Sequence, residues 1–223
     1  MNFKISKIEQ EKLHQKENII YKGSTISRAL LKLSNKYIGK KVLEIGGGDG
    51  SLYKNFITLF GKSKNLTSID LVPKSKHVMK GDSTNLYFPP ESFDTVISAD
   101  LIEHLNDEDL IKGLQNINKV LKLKGYGIFS TPNNENLSQN VVICPDCGKK
   151  FHRVGHCQKF DKKRVKLLFE NYGFKLIYVK ELNFYILAKS YILTRLLYKL
   201  KLDNLPIISN EDLYFIVRKV KNL

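Results

Sequence analysis

Three cysteines and two histidines crowd into one stretch, Cys144-Pro-Asp-Cys147-Gly-Lys-Lys-Phe-His152-Arg-Val-Gly-His156-Cys157, and the chain has no other cysteine. A C-x-x-C pair can clasp one ion in a tight turn. Thiolate with imidazole then makes the tetrahedral N/S donor set that suits structural zinc. An odd, clustered set of this kind points to a metal and not to disulfides. Cys144, Cys147 and His152 supply three ligands, and His156 or Cys157 supplies the fourth. With Cys157 the spacing is that of zinc knuckles, which often bind single-stranded nucleic acid. With His156 the set ends in H-x3-H.

A second constellation lies earlier. Glu44-Ile-Gly46-Gly47-Gly48-Asp49-Gly50 joins the apolar run Lys41 to Ile45 to a segment of helical spacing. Small residues let a backbone turn sharply and approach a ligand closely. The start of the following helix offers unpaired N–H groups to polar ligand atoms. The dinucleotide fingerprint G-x-G-x-x-G fails at Ser51, whereas a G-x-G-x-G register through Gly46, Gly48 and Gly50, with Glu44 two residues ahead, fits. Asp70, followed by Leu71, closes a second apolar run, where a carboxylate can accept from both hydroxyls of a ribose. Asp82 and Ser83 follow a third, where an aspartate can accept from an adenine amino group. Phe93 to Ala99 then leads into Asp100-Leu-Ile-Glu103-His104. His104 titrates near neutrality and is the candidate general base.

The elements that must position these groups alternate. Helical spacing places a helix from a Ser24 cap through Ile26, Leu30, Leu33 and Tyr37 to Gly39, and another from Ser51 to Phe60 that stops at Gly61. Strands are expected at 41–46, 66–71, 77–80, 93–99 and 126–131. A helix begins near Asp107 and runs to Gly125. Asp161 caps a helix through Val165, Leu168, Phe169 and Tyr172, with Phe160 stapled onto Val165. Two last strands, 175–180 and 213–220, flank an apolar and basic helix over 184–202. Strand–helix alternation at this spacing means βαβ units and a mostly parallel sheet with helices on both faces, and ligands bind beyond its carboxyl edge.

Residues 40 to 132 resemble the cofactor-binding core of class I S-adenosylmethionine (SAM)-dependent methyltransferases. They are closest to the broad small-molecule group with Glu-His-Leu after the fourth strand. The resemblance implies a Rossmann-like fold with a seven-stranded, mostly parallel sheet. By it, Glu44 and the Gly46–Gly50 turn hold the methionine part of SAM, and Asp70 with Leu71 meets the ribose. Asp82 and Ser83 border the adenine, and Ala99 and Asp100 lie at the cofactor's far edge. Related methyltransferases also show C-P-x-C-G followed by F-H-x-x-G-H-x-x-x-F, which this chain matches from Cys144 to Phe160. That match makes His156 the fourth ligand of a zinc-binding insertion placed after strand five, where the class covers its acceptor. Some relatives hold a divalent metal with a carboxylate-x-x-Glu-His pattern; here the shorter Asp100 stands first, before Glu103 and His104. No Asn-Pro-Pro-Tyr follows the fourth strand, which argues against the usual amino-methylation of adenine, cytosine or glutamine.

The 223 residues accommodate a methyltransferase domain over 24–223, with the zinc insertion at 141–160 and a polar, partly ordered extension at 1–23. The expected acceptor is a small or conjugated metabolite, methylated at O or C. The net charge is +15, from 37 Lys and Arg against 22 Asp and Glu. The lysines are scattered with no aromatic–basic repeat, so the charge reads as compositional and nucleic acid is the lesser expectation. The 184–202 helix reads as packed against the domain before it reads as a peripheral membrane contact. No apolar run reaches membrane-spanning length and the first twenty residues lack a signal-peptide core, so the expected location is cytoplasmic.

Overall fold

The computed structural model describes residues 6–15, 23–189 and 211–223. The described residues form nine strands and six α-helices. The strands are β1 (Lys41–Ile45), β2 (Asn65–Asp70), β3 (Met79–Lys80), β4 (Phe93–Ala99), β5 (Leu121–Pro132), β6 (Val141–Ile143), β7 (Lys150–His152), β8 (Phe174–Leu182) and β9 (Asp212–Lys219). The helices are α1 (Lys7–Gln15), α2 (Gly23–Ser34), α3 (Ser51–Phe60), α4 (Asp107–Val120), α5 (Lys162–Asn171) and α6 (Phe184–Lys189).

Seven strands form one sheet in the order β3-β2-β1-β4-β5-β9-β8, and β6 and β7 form a separate antiparallel hairpin. The first five strands of the sheet pair in parallel, while β9 runs antiparallel to both β5 and β8. The order reverses between β1 and β4, and it is beyond the carboxyl ends of strands at such a switch point that α/β sheets bind ligands.

Strand periodicity builds the two sides of the core. Leu43, Ile45, Val96, Phe129, Phe215 and Val217 pack with α4 and α5 on one face. Val42, Ile97, Ile128 and Ile216 pack with α2, α3 and α6 on the other. Alternation of this kind on strands covered on both faces gives near-continuous apolar runs, which is why β1 and β4 read clearly as strands. Asn106 caps α4 by accepting from the Asp109 N–H at 3.0 Å, and Asp161 caps α5 by accepting from the Arg164 N–H at 2.6 Å.

The elements differ from expectation in four places. The helix α2 begins at Gly23 and ends at Ser34, with a short 3-10 turn over Asn35–Tyr37 before Gly39. The helix α4 stops at Val120, and β5 starts at Leu121 instead of Tyr126. The extra residues pair Leu121 with Phe93, and an irregularity with Lys124 at φ 66° restores register at Tyr126. Part of the 1–23 extension is the helix α1. The expected 184–202 helix is described only as α6, and the rest lies outside the described residues. Among the described residues, no helix is long and apolar enough to cross a membrane.

One buried charge ties the last strand to this framework. The Lys219 ammonium, 1% exposed, donates to the carbonyls of Asn118 and Leu121 at 2.7 Å each, where α4 leaves its terminal carbonyls unpaired. Lys219→Met should lower unfolding stability in urea by about 1–3 kcal/mol, since two buried carbonyls lose their donor; an unchanged midpoint would show that water replaces it.

Candidate cofactor site

β1 delivers the chain into Gly46–Gly50 with three glycines in the left-handed region: Gly46 at φ 88°, Gly48 at 44° and Gly50 at 75°. Gly47 is constrained by space: a Cβ there would sit 2.1 Å from the Ser68 hydroxyl of β2. A side chain at Gly46 would press on Leu101, so the turn also abuts the loop after β4. The residue types demanded at this corner follow from sterics alone.

The carboxylates meet this turn. Asp70, at the end of β2, accepts the Gly48 N–H at 2.8 Å through Oδ2 and the Val72 N–H at 2.7 Å through Oδ1. Leu71, behind it, is half-buried. Glu44 is buried, and the Ser68 hydroxyl donates to its Oε2 at 2.5 Å. Burial pushes the Glu44 carboxyl up to about 7 despite that hydrogen bond, and the charges of Asp70 and Asp49 push the same way. Asp82 follows β3, tied to Asp70 by the Gly81 N–H donating to the Asp70 carbonyl at 2.9 Å. Its Oδ1 accepts from the N–H and hydroxyl of Thr84, and Lys7 of α1 forms an ion pair with its other oxygen. Ser83 is buried beside Gly113 of α4. Ala99 ends β4. Asp100 follows with φ 51°, a left-handed conformation rare for a non-glycine residue, and accepts from the Ser130 hydroxyl at 2.9 Å.

His104 lies on a 3-10 turn just beyond. Its ring meets His14 of α1 edge-on at 5.3 Å and His156 at 4.6 Å, and His156 stacks on His152 at 4.8 Å. Four of the chain's five histidines therefore form one row. Burial, followed by the charge of His156, drives the His104 pKa well below its usual value. Glu103, 1% exposed, accepts from the Thr131 hydroxyl at 3.0 Å, and burial reinforced by Asp100 raises its pKa well above the carboxylate range. Burial would also raise Glu135, but hydrogen bonding and charge from His156 bring it below its usual value.

The insertion is split. Cys144 and Cys147 sit on the hairpin turn between β6 and β7. The backbone N–H groups of Cys147 and Asp146 lower the Cys144 thiol pKa, and Gly148 takes φ 69° behind them. His152 and His156 pack instead against Glu135: His156 Nδ1 lies 2.6 Å from Glu135 Oε2, and His152 Nε2 lies 3.4 Å from Oε1. Among the described residues, no three of Cys144, Cys147, His152 and His156 bring ligand atoms within 4.8 Å of one another. Cys157 is elsewhere again, its thiol donating to the His104 carbonyl at 3.3 Å.

Sequence reasoning missed α1 and Glu135. Lys7 reaches Asp82, the buried Gln10 side chain donates to the carbonyls of His104 at 3.0 Å and Gly155 at 2.7 Å, and Lys149 of the hairpin pairs with Glu9. The helix thus straps Asp82 to the insertion. No local pattern signals this, because every partner is distant along the chain.

The methyltransferase domain family matches residues 17–179. The chain belongs to the methyltransferase domain family. The ubiquinone/menaquinone biosynthesis C-methyltransferase UbiE of Cellvibrio japonicus is 30% identical over 146 residues, covering 55% of this chain and 58% of that protein. The UbiE of Teredinibacter turnerae is 27% identical over 177 residues, covering 65% of this chain and 70% of its own length. The chain therefore spans about three-fifths to 70% of these relatives. Among solved structures, the Burkholderia thailandensis 1,6-didemethyltoxoflavin-N1-methyltransferase, with bound 1,6-didemethyltoxoflavin and S-adenosylhomocysteine, superposes with a TM-score of 0.65 at 12% identity. That match covers 98% of this chain and 92% of that one. This likeness shows the Rossmann-like fold of SAM-dependent methyltransferases.

The raised Glu44 carboxyl has a consequence for this methyltransferase domain. Between the unfolded carboxyl pKa of about 4.3 and the folded value of about 7, the native state holds a proton that the unfolded state has lost. Stability therefore falls as pH rises through that window. Thermal unfolding from pH 4.5 to 7.5 should show a decline that Glu44→Gln reduces; parallel curves for the two proteins would refute the assignment.

Proposed function

We propose that this chain binds SAM along the Gly46–Gly50 turn and transfers its methyl group to a small or conjugated metabolite, at oxygen or carbon. The observation that carries the reading is the meeting of the Gly48 N–H with the Asp70 carboxylate at the switch point between β1 and β4. That contact fixes a cradle into which the left-handed glycines project no side chain. Glu44 and Gly46–Gly50 would face the methionine part, Asp70 and Leu71 the ribose, and Asp82 and Ser83 the adenine. Ala99 and Asp100 would border the reacting end. Carbon as acceptor is supported by the UbiE relatives, and a small-molecule acceptor by both comparisons.

SAM carries its methyl on a sulfonium, so the protein needs chiefly to align a nucleophile with it and, for some acceptors, to take a proton. His104 is the proposed base. Burial and the neighbouring His156 lower its pKa well below the usual value, so the ring is neutral at pH 7, and taking a proton there would need the developing charge of the acceptor to offset that burial.

For the insertion, the thiol pair supports zinc. Backbone N–H groups directed at Cys144, with a left-handed glycine after Cys147, make half of a thiolate site. Of the proposed ligands Cys144, Cys147, His152 and His156, the two cysteines have this support, while the two histidines are engaged with Glu135.

Calorimetry should show SAM binding that Asp70→Asn, which keeps an acceptor oxygen for the Gly48 N–H, weakens at least tenfold. With labelled SAM and fractionated cell extract, label should enter a small-molecule fraction. Absence of any SAM binding would defeat the reading, and label confined to RNA would defeat the acceptor class. Cys144→Ser with Cys147→Ser should remove bound zinc and lower the melting temperature while SAM binding persists; an equally stable, zinc-free wild type would end the zinc reading.

A further inference from the structure

The chain holds three cysteines and five histidines, and all of them lie among the described residues. Their places determine how much of a zinc site one copy can build. Cys144 and Cys147 share the tip of the β6–β7 hairpin, where the backbone is fixed. The Cys144 N–H donates to the Lys149 carbonyl and the Gly148 N–H to the Cys144 carbonyl, both at 2.9 Å. The N–H groups of Cys147 and Asp146 point at the Cys144 sulfur, and the Cys147 thiol is in hydrogen-bond contact with it. Two sulfurs therefore face one point.

No other N or S ligand of the chain joins them. His14, His104, His156 and His152 form the row beside Glu103 and Glu135. His77 stacks on Tyr53 at 4.7 Å. The Cys157 thiol donates to the His104 carbonyl. Among the described residues, no carboxylate makes a group of three with the two thiols either. Structural zinc on thiolates is tetrahedral and closed by four protein ligands, and one copy of this chain brings two. The thiols also face outward: Cys147 is exposed and Cys144 half-buried.

We propose that the missing pair comes from a second copy of this chain, so that Cys144 and Cys147 of two copies hold one zinc ion between their hairpin tips. The proposal rests on the zinc reading given above and replaces His152 and His156 in it with the other copy's thiols. A two-fold axis through the metal makes the two halves identical, the symmetry by which most homodimers close. Ile143 points to contact at the same place. It precedes Cys144 on β6, pairs with Lys150 across the hairpin and is 60% exposed; in the assembly the other hairpin covers it and removes that apolar surface from water. With a net charge of +15 on each chain, two metal-free copies repel one another, so association follows the metal.

The test strips the full chain with chelator and titrates it with Co2+ or Zn2+, reading visible absorption and, by light scattering, molar mass. Co2+ should give thiolate charge-transfer bands and the absorption of a four-sulfur tetrahedral site, saturating at about half an equivalent per chain. Molar mass should double at the same point and fall back on chelation. Cys147→Ser should abolish the doubling. Ile143→Glu, which leaves every ligand in place, should weaken metal-dependent dimerisation at least tenfold. Saturation at one equivalent in a chain that stays monomeric would overturn the shared site and leave the zinc reading standing. Absence of any thiolate band would overturn both. A dimer that survives both chelator and the Cys144→Ser/Cys147→Ser exchange would put association on another surface and overturn the proposal. SAM calorimetry on the same samples reports on the proposed methyl transfer separately.

Discussion

The carboxyl end of β1 has no room for a side chain, and the shape of the candidate cofactor site is a consequence of that. Ser68 on β2 stands where a Cβ on Gly47 would go, and Leu101 after β4 presses against Gly46. A chain confined on both sides can leave the strand only through left-handed backbone, which Gly46, Gly48 and Gly50 supply. Once it has turned this way, the Gly48 N–H donates to the Asp70 carboxylate. The contact links the turn to the next strand at the switch point of the sheet. A side chain at Gly47 would disturb the packing of β1 on β2 as well as the turn.

The same corner concentrates charge that would not otherwise be buried. Glu44, Asp49 and Asp70 repel one another around the turn, and burial keeps Glu44 on the edge of protonation near neutrality. Glu103 is more deeply enclosed, and burial with the charge of Asp100 holds it well above the usual carboxylate range. Neither carboxylate stabilises the fold by being there. Groups retained against such a cost are more consistent with ligand binding than with packing, and Asp100, held in a left-handed conformation between them, adds backbone strain at the same edge.

What was legible in the sequence was whatever is encoded locally. β1, β4, α3 and the Asp161 cap of α5 follow from periodicity, glycine stops and capping chemistry, all within a few residues. The seven-stranded, mostly parallel sheet follows from their alternation. The start of β5 was misread because Leu121 to Gly125 has no alternation of its own; the tertiary pairing of Leu121 with Phe93 makes it a strand. The helix α1 was missed for a related reason. Its sequence is polar, and what holds it are Lys7 on Asp82, 75 positions away, and Gln10 on Gly155, 145 positions away. No local window contains either partner.

The insertion shows how proximity in sequence can mislead about proximity in space. Five cysteines and histidines within one segment invite a single site, yet the hairpin carries Cys144 and Cys147 to its tip and leaves His152 at its base. There the chain turns back through Gly155, and His156 enters a row with His104 and His14 that begins at the opposite end of the sequence. The C-x-x-C motif encodes its own local shape, because the N–H groups that polarise Cys144 come from the next three residues. The histidines encode nothing until β4 and β5 bring Glu103 and Thr131 beneath them and the loop after β5 brings Glu135 alongside. A histidine's chemistry here is set by which nitrogen is already engaged, and only the folded chain decides that: Glu135 takes one nitrogen of His156 and thereby aims the other at Glu103.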